Sequence, residues 1–515
     1  MKFHLIRKAA GSVIRLNSGL SHRRKLAHSA IFNLLGQGIP LLAALYAIPV
    51  MIFALGADRF GIFTLIWVVA GYFGLFDLGI GRAITKLVAE KVSSQHSAEV
   101  PAIFWTALTV IFMSSLVGTL LLFTSSPWLI EHLLKTSDGL KSEALPALQL
   151  LAICLPVVIC TAALSGFLEA LHRFGSINLI KIPMGIFSFI GPLLVLPFSH
   201  DLLSLTSILL AGRIIEFAGL LTICFAAFPA LRDKVKFTQK NIRSLLSFGG
   251  WITVSNIIGP ILSYLDRFFI SALISVSAIT YYAAPFSLII KLAIIPAALV
   301  GVLFPTFVRH LLEDRLRAAQ LFQRSTRYVI YSTFPIVLIL FTFAHEVLTM
   351  WIDETFARHS TPVVQWLLVG IFMNGLAQVP VALIHGNGRP ELVAKLHLAE
   401  LPLYLLALLV LLKTYGITGV AIASMARMAV DAIVLLLISR RLLPEATPAI
   451  RQCLQFLLVM TVTLLIAAAI DPLSLKALFC MAALLLFGGW AWTTLKVDER
   501  KIARRLVATV LRLKA

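Results

Sequence analysis

PFSLIIKLAIIPAALVG, Pro285 to Gly301, reads as continuous membrane sequence with one cation, Lys291, set in its middle. A lysine at the centre of a membrane helix costs roughly 2.5–3.5 kcal/mol on insertion scales. Whether that run lies in a membrane is decided by the composition around it. Of the 515 residues, 59% are hydrophobic and only 13% are charged. A soluble chain of this length needs about a quarter of its residues charged to cover its surface. The composition therefore predicts an all-α polytopic membrane protein.

A hydrocarbon core about 30 Å thick takes about 20 apolar residues to cross as a helix. By that criterion about fourteen transmembrane helices are expected, near 28–54, 60–80, 101–124, 146–170, 176–198, 202–228, 247–273, 279–303, 326–350, 361–386, 394–413, 417–440, 450–470 and 473–494. If the basic segment 1–27 lies inside, 34 of the 44 Lys and Arg fall on the inside and 6 outside. The other four, Arg213, Arg267, Lys291 and Arg427, lie deeper in spans, with the Lys and Arg in the first or last six residues of a span counted with the side that end adjoins. This split obeys the positive-inside rule and predicts cytoplasmic N- and C-termini. The net charge of +20 is then an orientation signal, because the basic residues are spread between helices instead of gathered on one nucleic-acid-binding surface. The longest connections, 125–145, 229–246 and 304–325, are too short for a soluble domain.

Spans 1–6 and 7–12 repeat at a shift near 216 residues. Arg173 corresponds to Arg389, and the pair Arg213/Glu216 in span 6 corresponds to Arg427/Asp431 in span 12. At the chain's entry into each half, Gln37 and Asn256 correspond at a shift of 219. An even number of spans per half makes the repeat parallel, a transporter architecture with substrate held between halves. The expected organisation is a basic N-terminus (1–27), an N-lobe (28–228), a connector (229–246), a C-lobe (247–440), an appended hairpin of helices 13 and 14 (450–494) and a basic cytoplasmic tail (495–515).

LGADRFGIFTLIWVVAGYFGLFDLGIGRAITKLVAE (55–90) and YLDRFFISALISVSAITYYAAPFSL (264–288) carry a family resemblance. They resemble the polysaccharide-exporter (O-antigen flippase) branch of the multidrug/oligosaccharidyl-lipid/polysaccharide transporter superfamily, and the resemblance covers roughly 28–440. It implies two six-helix lobes in a V around a central cavity in the bacterial inner membrane. It also implies a substrate, an oligosaccharide on a polyprenyl-pyrophosphate carrier, moved between leaflets by alternating access. Partners expected on this basis are the lipid-linked oligosaccharide, membrane lipids and other polysaccharide-assembly membrane proteins. Twelve spans are usual in that branch. Fourteen is the number in the related lipid II flippases, where the extra pair extends a hydrophobic groove for a lipid tail. Those proteins line the first helix with arginines, whereas this chain has no basic residue between Ala30 and Ala57.

Candidate site residues are the polar groups deep in spans. Lys291 lies twelve residues into span 8, about 18 Å at 1.5 Å per residue, between Pro285 and Pro296. Each proline removes a backbone donor, and a broken helix at membrane depth is tolerated beside a cavity or packed protein. Lys291 is thus a substrate-binding candidate; a buried ion pair with Asp77, Asp266 or Glu400 is the structural alternative. Arg267, Gln37 and Asn256 are further substrate candidates, and for Arg267 snorkelling to headgroups is the competing role. Asp266, Asp77 and Arg82 are candidates for ion coupling or gating. Gly79 and Gly81 in FDLGIGRA allow close helix approach or a bend. Arg213/Glu216 and Arg427/Asp431, spaced three and four apart, read as structural pairs on one helix face.

No P-loop occurs, and no His/Cys/Asp cluster has metal spacing, so no cofactor, metal or catalytic residue is expected. The five cysteines fall within spans and read as packing residues. A membrane polymerase or ligase acting on the same glycans is the rival from another class, and a cation-coupled multidrug exporter is the rival within the superfamily.

Overall fold

The computed structural model describes residues 40–69, 80–94, 96–233, 262, 264–495, 499 and 500. In chain order the helices are α1 (Pro40–Val69), α2 (Ile80–Ser93), α3 (Val100–Leu133), α4 (Asp138–Ala170), α5 (Phe174–Val195), α6 (Leu202–Ala227), α7 (264–273) and α8 (Val276–Ile289). A 3-10 turn (Ile290–Ala293) leads into α9 (Ile294–Glu313). Then follow α10 (Arg315–Thr342), α11 (Ala344–Trp351), α12 (Glu354–Gly386), α13 (Pro390–Leu442), α14 (Thr447–Ala469) and α15 (Leu473–Thr494). The fold is all-helical, and among the described residues eleven helical runs are long and apolar enough to cross a membrane.

Eleven runs and about fourteen spans are compatible because two runs are interrupted. Within α1, Gly56 takes φ +75°, a left-handed conformation that ends a right-handed helix and that glycine adopts without penalty. Within α13, Gly416 takes φ +59° and ψ −141°. A Cβ on Gly419 would stand 1.9 Å from the carbonyl oxygen of Leu411, so the chain doubles back there. The breaks fall between expected spans 1 and 2 and between spans 11 and 12. Most of expected span 7 lies outside the described residues, as does most of the connector.

Three expected boundaries are corrected, and one of them is the connection 304–325, which is helix apart from Asp314, since α9 ends at Glu313 and α10 begins at Arg315. The stretch 125–145 is mostly helix, since α3 runs to Leu133 and α4 begins at Asp138, leaving 134–137 between them. At 34 residues α3 is about 51 Å long, well beyond a 30 Å core, so it projects out of the apolar layer. The expected span 326–350 ends at Thr342, and a separate short helix, α11, follows it. Helix starts are set by aspartates. The Asp201 carboxylate accepts the Ser204 N–H (3.0 Å), Asp314 accepts those of Leu316 and Arg317, and Asp353 accepts that of Phe356 (2.7 Å). An Asp N-cap satisfies orphan amides and complements the helix dipole.

The chain forms two compact units: residues 1–294 with 394–423, and residues 295–393 with 424–515. In the first, α4 is central and two-thirds buried. It packs closely on α2 because Gly166 leaves no room for a side chain: a Cβ there would lie 2.3 Å from the Gly81 carbonyl oxygen. The Thr85 hydroxyl donates within reach of both Gly81 and Gly166 carbonyls (3.1 and 3.0 Å). The close approach is thus set by Gly166, which meets the backbone of Gly81. In the second unit α12 is central, and Phe334, Phe372, Phe456, Phe487 and Trp490 form an aromatic cluster joining α10 and α12 to the hairpin α14–α15. Lys476 Nζ and Glu346 Oε1, 2.8 Å apart, tie the turn of that hairpin to α11. All five cysteines are free and buried.

Candidate functional site

Lys291 sits in the 3-10 turn between α8 and α9, so the helix is irregular where two flanking prolines withdraw backbone donors. Its side chain is half-buried, and it has no ion-pair partner among the described residues. Asp266, one of the acids expected to pair with it, is committed elsewhere. Asp266 Oδ2 accepts a hydrogen bond from the Tyr282 hydroxyl at 2.5 Å, and Oδ1 accepts the backbone N–H of Arg267 at 2.8 Å. A lone ammonium in a helical run apolar enough to cross a membrane is expensive to keep.

Arg267 is 3% exposed and covered by protein, which differs from the snorkelling alternative. Its guanidinium carbon lies 4.8 Å from the Tyr264 ring centre and 4.7 Å from that of Phe286. Neither Nε nor Nη1 has a hydrogen-bond partner among the described residues. Two aromatic faces attract the cation without neutralising it. Adjacent positions thus send Asp266 to Tyr282 and Arg267 into an aromatic sandwich.

Arg213 Nη1 and Glu216 Oε2 are 2.8 Å apart on α6, with Glu216 nearly buried. Arg213 also lines a cavity of about 40 Å³ with Trp67, Ser188 and Thr206. Arg213→Ala leaves a buried carboxylate unpaired, which typically costs about 3–5 kcal/mol. The expected result is a sharp fall in the detergent-solubilised melting temperature, largely recovered in the double variant Arg213→Met/Glu216→Gln. An unchanged single variant would show that the pair contributes nothing. In the second unit Asp431 is buried and Arg427 half-buried on α13. Gln37, Asp77 and Asn256 lie outside the described residues, as does the side chain of Arg82.

Sequence reasoning missed a contact at one end of the bundle. The Asp58 carboxylate accepts a hydrogen bond from the Ser277 hydroxyl, and the Ala57 carbonyl accepts one from Thr280 Oγ1 at 2.6 Å. Gly61 abuts the Val276 carbonyl, where a Cβ would come within 2.3 Å. Arg59 holds Glu143 with two bonds of 3.1 and 2.7 Å, and Lys135 Nζ donates to the Leu273 carbonyl. The 219-residue shift was the signal that could have revealed it.

The hairpin also forms a groove of about 790 Å³ between α10, α14 and α15. Its polar lining includes Arg327, Gln323 and Thr494; most of the rest is apolar, with residues such as Phe456, Ala483 and Trp490.

Long apolar helices that bury charged side chains such as Glu216, Asp266 and Arg267 define a multi-pass membrane protein. Solved structures share the fold. An inward-facing multidrug resistance MATE family transporter of the MOP superfamily aligns at TM-score 0.66 and 13% identity, over 81% of this chain and 99% of that one. The lipid II flippase MurJ, in an inward closed conformation, aligns at TM-score 0.66 and 15% identity, over 91% of this chain and 99% of that one. Residues 26–311, more than half of the chain, match the family described as polysaccharide biosynthesis protein. A Shigella flexneri protein named "Putative O-antigen transporter" is 32% identical over 412 residues, 79% of this chain and 96% of the relative. The chain belongs to the polysaccharide biosynthesis protein family.

Proposed function

We propose that this protein is a flippase of the bacterial inner membrane. It turns a polyprenyl-pyrophosphate-linked oligosaccharide, an O-antigen or exopolysaccharide repeat unit, from the inner to the outer leaflet by alternating access. Family membership and the Shigella relative support the substrate class. The observation that carries the mechanism is Lys291, a cation at membrane depth with no ion-pair partner among the described residues, on an interrupted helix. An ammonium kept at such cost without a partner suits an anion that arrives and leaves, and pyrophosphate is such an anion. Arg267 is a second phosphate-binding group, reached only when the protein covering it parts. Gln37 and Asn256 contact the sugars, and Asp77 and Arg82 act at the inner gate. The N- and C-termini are cytoplasmic.

The rival cation-coupled exporter needs an available buried carboxylate in the N-terminal lobe. Among the described residues Glu216 is the buried acid there, and Arg213 takes it. Asp266, just beyond that lobe, is held by Tyr282 and a backbone amide, which also favours the flippase. The test is restoration of surface glycan in a flippase-deficient strain; a chain that is correctly inserted yet restores none would refute the reading.

The groove beside the hairpin takes the polyprenyl chain. Ala483→Trp, which fills the groove at its apolar wall, is expected to cut glycan export severalfold while leaving membrane insertion intact. Full export by that variant would remove the groove from the pathway.

A further inference from the structure

The contact between residues 57–61 and 276–280 has a symmetry of its own. Val276 stands 219 residues after Ala57, Ser277 stands 219 after Asp58, and Thr280 stands 219 after Gly61. Asp58 bonds Ser277, its own counterpart. The Ala57 carbonyl meets the side chain of Thr280, the counterpart of Gly61. The Val276 carbonyl, the counterpart of Ala57, meets the side-chain position of Gly61. Each half thus offers the same carbonyl to the same position of the other, which is an isologous, two-fold contact centred on Asp58 and Ser277. The shift equals that relating Gln37 to Asn256, so the symmetry is that of the internal repeat.

The contact cannot slide. Gly61 has no space for even one methyl group, and Thr280 and Val276 are wholly buried. On the other side of the seam, Arg59 is clamped to Glu143 at the start of α4. Lys135, from the segment after α3, reaches across to the carbonyl at the end of α7. Carbonyl, hydroxyl and carboxylate groups held this way have definite partners and can exchange them for water, as a reversible closure requires.

We infer that this self-complementary contact is the outer gate of the transporter: formed, it seals the outer end, and its rupture opens the path to the outer leaflet. The assignment rests on the flippase reading for which end is outer and what passes. Symmetry gives the gate a mechanical property. Because the pseudo-two-fold axis relates the two carbonyl contacts, tilting the halves apart at this end breaks both together, so the seal opens as a unit.

The test replaces Asp58 and Ser277 with cysteine in the full chain, whose native cysteines are buried and, with each single variant, form the background. An oxidant or short thiol cross-linker should join the pair, lower glycan export by about tenfold or more, and release it on reduction. A second arm uses Thr280→Cys, buried and expected to resist an impermeant maleimide added from the outer face. Adding Gly61→Val should wedge the contact and make that cysteine react. Absence of a cross-link, or full export with the link in place, overturns the gate. So does a Thr280→Cys thiol that stays protected when Gly61 is valine. If the link forms and the labelling responds but neither the reduced pair nor the natural protein restores glycan, the flippase reading fails and the gate stands.

Discussion

Lys291→Ala should reduce glycan export by about 10- to 100-fold, the equivalent of one charge-assisted contact to phosphate worth roughly 1.5–3 kcal/mol. Lys291→Arg should retain most export, since a guanidinium also binds phosphate. Protein stability should not fall in either variant, because Lys291 has no ion-pair partner among the described residues whose charge would be orphaned. The measurement is surface glycan in a flippase-deficient strain, with membrane abundance and melting temperature followed in parallel. Normal export by Lys291→Ala makes the residue structural. A loss that arginine fails to repair points to shape instead of charge.

Arg267→Met should separate function from stability even more widely. Two effects oppose each other at this position. Stacking of the cation between Tyr264 and Phe286 is stabilising, by about 2 kcal/mol for a desolvated cation–π contact. Burying a guanidinium with two unbonded nitrogens costs several kcal/mol. Desolvation outweighs stacking, so methionine, of similar length and uncharged, should leave the melting temperature unchanged or raise it. Export should drop by about tenfold or more if Arg267 meets phosphate when the covering protein parts. A melting temperature several degrees lower would mean that the sandwich holds the fold and that the export defect is secondary. Arg267→Lys is the informative control: it keeps the charge but stacks less well and presents a different donor geometry.

Membrane nature and helix positions were legible in the chain because lipid imposes a one-dimensional rule: about 20 apolar residues per crossing, with polar groups confined to ends or to special sites. The glycine breaks at Gly56 and Gly416 fall where composition separated one apolar run from the next. Helix ends were less legible, since α3 and α4 continue beyond the bilayer into residues polar enough to read as loop. The Arg213–Glu216 pair followed from helix spacing alone, as an i, i+3 contact is local.

Partners distant in sequence are a different matter. The chain by itself placed Lys291, Asp266 and Arg267 within apolar runs, because that depends only on position along the sequence. It could not decide that Asp266 turns to Tyr282, that Arg267 enters an aromatic sandwich, or that Lys291 is left without an ion pair among the described residues. Those outcomes depend on which helix face meets which neighbour, and Asp266 had several cations within plausible reach. The contact of Asp58 with Ser277 shows the same division. An internal repeat is written in the sequence, at a shift of 219 residues around this contact, but a repeat becomes an interface only when tertiary packing brings its two copies face to face about their common axis.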